Sequence, residues 1–264
     1  MPYLAQISIF PIKSLDGVLV QAATVLQSGV LKGDREFAII DAQGNFVNGK
    51  RNANVHRLRS AFDLVARTVS LRVEGTSETE TFHLDGDRAS LETWLSEYFG
   101  FPVQLLQNLE LGFPDDTLSP GPTVISTATL QTVTGWFPGL SLEDTRRRFR
   151  TNLEIADTEP FWEDRLFNGV DSTQPFQIGA VQLEGVNPCQ RCVVITRDAL
   201  TGQAYPGFQK VFTSRRKETF PAWANSSRFN HFYRLAVNTV VSPSQANKVL
   251  KVGDPVGWQV PCDE

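Results

Sequence analysis

A break near the middle of the chain limits its fold more than any other feature. Residues 107–122 (QNLELGFPDDTLSPGP) hold three prolines, two glycines and an acidic cluster, without helical or strand periodicity. The break predicts two units, residues 1–115 and 116–262, in a chain whose 264 residues exceed a typical domain of about 150. On both sides of it the apolar, β-branched runs are short and end in turn residues. Tyr3–Phe10 and Val18–Leu26 read as strands around Asp16-Gly17. Glu36–Ile40 and Phe46-Val47 read as a hairpin with Gly44 at a position that needs positive φ. Ala61–Val65, Thr68–Val73, Thr79–Leu84 and Val103–Leu106 continue the pattern. Leu91, Trp94, Leu95 and Tyr98 recur at helical spacing after Asp87, an N-cap residue type, and Gly100 and Pro102 end that helix.

Beyond the break, Thr123–Ile125 reads as a strand, and Ser126 is expected to cap a helix running to Trp136. Ser141, with Asp144 three positions on, caps a second helix over Leu142–Phe149. Strands are expected at Asn152–Ile155, Gln177–Glu184, Val193–Thr196, Phe232–Val240 and Gly257–Val260, and loops at 107–122 and 203–230. Strands far outnumber helices. The expected fold class is therefore mainly β with a few helices (α+β), built on a β-barrel core.

Composition narrows the function classes. A chain that is 41% hydrophobic and 20% charged can bury a sizeable core. A net charge of −4 argues against a whole-chain grip on a nucleic-acid polymer or an anionic membrane, but leaves room for a local basic pocket. The opening MPYLAQISIFPIKS has no basic residue ahead of its apolar run and is interrupted by Pro11 and Lys13, so neither a signal peptide nor a membrane anchor is expected. With three cysteines, too few for a disulfide framework, the expected compartment is a reducing one, the cytoplasm.

Two of those cysteines stand as Cys189-Gln-Arg-Cys192. Three readings stay open from the residues alone: half-buried small hydrophobes, a thioredoxin-type redox pair, or part of a zinc site. The redox reading sits poorly with Val193–Thr196 continuing as a strand. The zinc reading lacks partners at ligand spacing among Cys262, His56, His83 and His231. Arg191 adds weight to metal binding, because a guanidinium beside a thiol favours the thiolate, the form that binds soft metals. Basic residues also recur on expected turns: Lys13-Ser14, Asp34-Arg35, Lys50-Arg51, Arg146–Arg150 and Arg215–Lys217. They are either a solvated surface or a pocket for a phosphorylated ligand. No glycine-rich nucleotide fingerprint is present, and Ser126 offers a hydroxyl at a strand-to-helix junction where free N–H groups favour phosphate.

Five ordered motifs carry a resemblance. Phe10-Pro-Ile-Lys-Ser14, Gly33-Asp-Arg35, Phe149-Arg-Thr-Asn152, Pro188-Cys-Gln-Arg-Cys192 with Thr196, Asp198, Thr201 and Gly202, and Lys251-Val-Gly-Asp-Pro-Val256 together resemble a MOSC protein. This is the family of the C-terminal domain of molybdenum cofactor sulfurase, here with the family's N-terminal β-barrel domain, and the chain is similar to amidoxime-reducing components and bacterial reductases of N-hydroxylated bases. The resemblance implies a MOSC-type barrel packed against an N-terminal β-barrel, with a molybdopterin-type molybdenum cofactor between them. It assigns Cys192 as the catalytic thiolate ligand of molybdenum. It assigns Lys13, Ser14 and Arg35 to the pterin phosphate, Ser126, Arg150 and Asn152 to the cofactor from the other domain, and Arg191 to the same site.

The implied activity is reduction of small N-hydroxylated substrates (amidoximes, hydroxylamines, N-hydroxy bases) by oxygen-atom transfer. Two departures from the family pattern stand out. Asn48-Gly-Lys-Arg51 replaces an Arg usual soon after the hairpin, and Arg150-Thr-Asn152 lacks the usual Pro. No four-Cys iron–sulfur signature follows the last motif, so electrons are expected from a separate ferredoxin- or flavin-reductase-like partner. The alternatives are a carrier of the cofactor or of a persulfide on Cys192, without reductase activity of its own, and a metal- or redox-sensing protein using the cysteine pair.

Overall fold

The computed structural model describes residues 1–170 and 172–258. Cys262 and the end of the strand expected at Gly257–Val260 lie outside the described residues. The chain enters through β1 (Tyr3–Ile9), whose Leu4, Ile7 and Ile9 are buried, and continues into β2 (Val18–Val20) and β3 (Ala22–Thr24). The single strand expected over Val18–Leu26 is thus two short ones in different sheets. β2 pairs with β1, whereas β3 pairs with Val249–Lys251. The expected hairpin forms: β4 (Phe37–Asp41) turns through Gly44 (φ 77°), and Phe46 bridges back to Ile40.

Antiparallel β5 (Leu58–Asp63), β6 (Thr68–Val73) and β7 (Thr79–His83) form a three-stranded sheet. Helix α1 (Arg88–Phe99) follows and ends at Gly100 in the left-handed region (φ 78°), and β8 (Val103–Gln107) returns to pair with β4. Asp87 stands at the α1 N-cap, but its carboxylate accepts from the His83 amide instead of from the helix. Leu91, Leu95 and Phe99 of α1 close a core with Phe37, Ile39, Leu58 and Leu71.

The second half contributes β9 (Val124–Ser126), α2 (Thr127–Thr134), α3 (Leu142–Phe149), β10 (Leu153–Ala156), β11 (Gln174–Ile178) and β12 (Val181–Gln190). It ends with α4 (Phe208–Glu218), β13 (Arg234–Val240), β14 (Val249–Lys251) and β15 (Val256–Trp258). Ser141 and Asp144 form the expected capping box at α3. Eight strands make one sheet in the order β15-β11-β12-β13-β9-β10-β1-β2, so the first strand of the chain is built into the sheet of its second half. This ladder is open among the described residues. Beyond the reach of β2, the start of β1 approaches the turn into β15, where Leu4 N donates to Asp254 O and Val256 N to Pro2 O, both at 2.9 Å. The architecture is mainly β with four helices among the described residues, and none of these is long and apolar enough to cross a membrane.

Three local expectations need correction. Gln177–Glu184 is a hairpin, because Gly179 (φ 55°) turns β11 back into β12. Val193–Thr196 is a 3₁₀ turn. The partner strand runs out at the Gln190–Arg234 pair, and Thr196 Oγ1 donates locally to Val193 O at 2.7 Å. The loop expected at 203–230 contains α4, so Arg215–Lys217 form its last turn. One glycine is fixed by close approach: a Cβ on Gly185 would lie 1.5 Å from Leu166 O.

Candidate functional site

β1 and β10 are stitched together where both leave the sheet. Ser8 N donates to Asn152 O (2.7 Å), and Asn152 Nδ2 donates to Ser8 O (3.1 Å). Just beyond, Arg35 N donates to Phe10 O and Lys13 N to Phe37 O, both at 2.7 Å, which sets Lys13 and Arg35 side by side. Across the stitch, Arg150 is the C-cap of α3 and precedes β10. Segments far apart in sequence therefore converge because one strand of the first half pairs inside the sheet of the second.

Seven of the expected site residues line a single cleft of about 1120 Å³: Lys13, Ser14, Arg35, Arg150, Asn152, Arg191 and Cys192. Its lining holds eleven Lys and Arg against seven Asp and Glu, a surplus of four positive charges in a chain of net charge −4. Ser14 (φ 76°), Arg35 (φ 49°) and Arg150 (φ 52°) all adopt left-handed backbone, which costs a non-glycine residue about 1–3 kcal/mol and persists where the surroundings enforce it.

The cations of the cleft differ in how they are matched. Lys13 is buried and donates from Nζ to Asp115 Oδ1 (2.6 Å) and to Phe113 O (2.8 Å). Burial lowers its pKa, with Asp115 opposing that shift. Arg35 is paired with Asp34, and Arg59 with Asp16 (3.2 Å). Arg150 has no carboxylate partner among the described residues. Its guanidinium carbon lies 4.3 Å from the centroid of the Phe10 ring, which Arg35 shares at 5.2 Å. Burial, reinforced by the like charge of Arg35, pushes Arg150 down to about 10. Two guanidinia on one ring, one lacking a counter-ion, make a ready place for an anion.

The cysteines also differ. Cys189 is buried at the end of β12, and its thiol donates to Asn238 Oδ1 (2.7 Å). Burial pushes that thiol up to about 11, so it stays protonated, with Arg191 pulling in the opposite direction. Cys192 is half-buried, opens the 3₁₀ turn and lines the cleft. Arg191 donates to Phe149 O and lies 5.2 Å from the Phe149 ring, tying this turn to the end of α3. Its Nε is buried without a partner. Among the described residues no cluster of three or more His, Cys, Asp and Glu could hold a metal, so any metal in the cleft would take one protein thiolate with its other ligands from elsewhere.

Ser126 is the expected site residue that does not reach the cleft. It is fully buried, accepts from Thr129 N (3.1 Å) as the α2 N-cap, and donates to Thr129 Oγ1 (2.7 Å). β9 pairs on both sides, with β10 and β13, so its end lies inside the sheet and its hydroxyl serves the helix. Asn152 reaches the cleft but is spent on structure, since its Oδ1 accepts from Thr123 N and Thr123 Oγ1, both at 3.2 Å. The sequence reading did not bring Asp115, Thr123 or Asn238 to the site and weighed His56 only as a zinc ligand, yet all four are in the lining. The acidic pair Asp115-Asp116 was visible, but only as part of a boundary.

A mainly β protein with a basic cleft where its two halves meet, and a free thiol on the cleft wall, is the class these facts define. A family model described as the MOSC N-terminal beta barrel domain matches residues 1–100, and one described as the MOSC domain matches residues 123–257. The chain belongs to the MOSC family. It is 26% identical over 245 residues to a molybdenum cofactor sulfurase of Danio rerio, covering 75% of this chain and 28% of that protein. It is 24% identical over 256 residues to the Homo sapiens molybdenum cofactor sulfurase (78% and 28%) and 25% over 288 residues to that of Drosophila grimshawi (97% and 34%). The chain spans about a third or less of the length of the curated relatives it matches.

Proposed function

We propose that the cleft binds a molybdopterin-type molybdenum cofactor and that the chain is a reductase of small N-hydroxylated compounds. The observation that carries this is Arg150, a guanidinium held beside Arg35, in the same cleft as Lys13, without a carboxylate of its own. Lys13, Arg35 and Arg150 would hold a phosphate, with Ser14 beside them and Arg191 near the thiols. Cys192 would give the metal its protein thiolate. When bound, the cofactor supplies a two-electron centre that takes oxygen from an N–O bond. Cys189 stays a protonated neighbour, kept from competing as a ligand by its bond to Asn238. On this reading residues 1–115 and 116–262 are the two domains, a separate ferredoxin- or flavin-reductase-like protein supplies electrons, and the chain works in the cytoplasm, on neither nucleic acid nor membrane.

The names of the relatives favour a second reading, a cofactor or sulfur carrier that uses a persulfide on Cys192. The discriminating experiment is elemental analysis and pterin fluorescence on protein from a host that makes the cofactor, followed by assay with an amidoxime and a hydroxylamine under a chemical reductant. Stoichiometric molybdenum with turnover supports the reductase, and molybdenum without turnover favours the carrier. A Cys192→Ala protein that keeps both molybdenum and turnover would sink the assignment of the ligand.

A further inference from the structure

Residues 114–120 cross the cleft lining on few supports. Before them Phe113 N donates to Arg35 O (2.9 Å), and after them Gly121 N donates to Thr239 O (3.0 Å). Gly112 makes the approach to Arg35 possible: its φ is 62°, and a Cβ there would lie 2.8 Å from Asp34 O. Between these anchors, among the described residues, the hydrogen bonds that tie 114–120 to the rest of the chain are two. Lys13 Nζ donates to Asp115 Oδ1 (2.6 Å), and Asn238 Nδ2 donates to Asp116 Oδ2 (3.1 Å). Leu118, near the tip, is 89% exposed.

Asp115 is the anion that the chain itself places among its basic residues. Lys13, Arg35 and Lys50 hold its carboxyl well below the usual carboxylate range, and its field also reaches Arg150. The two partners of the ion pair are unequal. The Lys13 side chain is 11% exposed and that of Asp115 78%, so the cation is built into the wall while the acid is the removable member. The carboxylate is the solvent-facing member and carries a single charge, so an anion of higher charge can displace it from Lys13.

We infer that Asp115 is an internal stand-in for ligand phosphate, and that residues 114–120 form a strap released when a phosphate-bearing ligand takes its place at Lys13, Arg35 and Arg150. This rests on the reading of the cleft as an anion site and adds selectivity to it. A tethered carboxylate competes at high effective concentration. A dianionic phosphate monoester therefore enters, while a monoanionic carboxylate is held out.

The test uses the full chain with inorganic phosphate as probe at fixed ionic strength, followed by calorimetry and by chymotrypsin cleavage after Leu118. Asp115→Asn should bind phosphate about tenfold more tightly than wild type, and Asp115→Glu should return to wild-type affinity. Lys13→Ala should bind at least about tenfold more weakly. Phosphate should speed cleavage in wild type, and Asp115→Asn should be cleaved at that faster rate without it. Thermal melts matching wild type establish that the variants are folded. Equal phosphate affinity in wild type and Asp115→Asn, with binding still lost in Lys13→Ala, overturns the strap and leaves the anion site standing. Phosphate binding unchanged in both Lys13→Ala and Arg150→Ala overturns the anion site, and the strap with it.

Discussion

Two arginines, one fully buried and one half-buried in the cleft wall, hold their charge by opposite means. Arg216 of α4 is fully buried, donates to the carboxylate of Asp164, and lies against Phe161, Phe229 and Phe220 at 4.4, 5.1 and 5.7 Å from their ring centroids. Arg150 has a ring beneath it and another cation beside it, but no acid. The first arrangement is closed, since charge, counter-ion and aromatic wall all come from the chain. The second leaves one partner to be supplied. An ion that serves the fold brings its counter-ion with it, whereas on the proposed reading Arg150 takes its counter-ion from a ligand.

Substitutions can break this contrast. The largest stability effect is expected for Arg216→Met, which strands a buried Asp164 carboxylate and should cost about 3–5 kcal/mol in urea denaturation. Replacing Asp164 by Leu in the same chain should recover most of that loss. A large contrast is also expected between the thiols. Iodoacetamide followed by peptide mapping should modify Cys192 at least about a hundredfold faster than Cys189, whose thiol is buried, bonded to Asn238 and protonated.

Next comes Glu163, buried beside Asp164 with its Oε1 unpartnered. Burial, reinforced by Asp164, raises its carboxyl to about 7, against an ordinary 4.5 when unfolded. Folding therefore takes up a proton between those pH values, and the contribution of Glu163 to stability is lost as pH rises from about 4.5 through about 7. Denaturation at pH 5 and pH 8 should show wild type losing roughly 2–3 kcal/mol relative to Glu163→Gln over that range. The smallest stability effect belongs to Arg150→Met. It should leave stability unchanged or raised by up to about 1 kcal/mol, since an unmatched, half-buried charge is removed, while phosphate affinity falls at least about tenfold. A loss of several kcal/mol instead would place Arg150 with Arg216 as a structural ion.

Much of the fold was legible because its signals are local. The capping box of Ser141 and Asp144, the Gly44 hairpin and the Gly100 stop of α1 each act within a few residues. Helix α4 was not legible. Phe208, Val211 and Phe212 begin an apolar stripe, but its continuation falls on Arg216, and a charge there reads as surface unless Asp164, 52 residues away, is known to meet it. Val193–Thr196 misled in the other direction. Its β-branched side chains suit a strand, yet no strand remains beside it to pair.

The candidate site divides the same way. By itself the sequence determined a mainly β chain with a break at 107–122, the cysteine pair, and the basic residues that converge on the cleft, because residue type, spacing and turn chemistry are properties of neighbours along the chain. Tertiary structure alone decided that the helix cap at Ser126 lies out of reach of the cleft, that Cys189 is locked and Cys192 open, that Arg150 has no carboxylate partner among the described residues, and that Asp115 lies against Lys13. Each of these depends on burial and on which elements the fold sets side by side, β1 with β10 at the basic residues and β12 with β13 at Cys189 and Asn238, and the free energy of a charge or a thiol is set by what surrounds it in space.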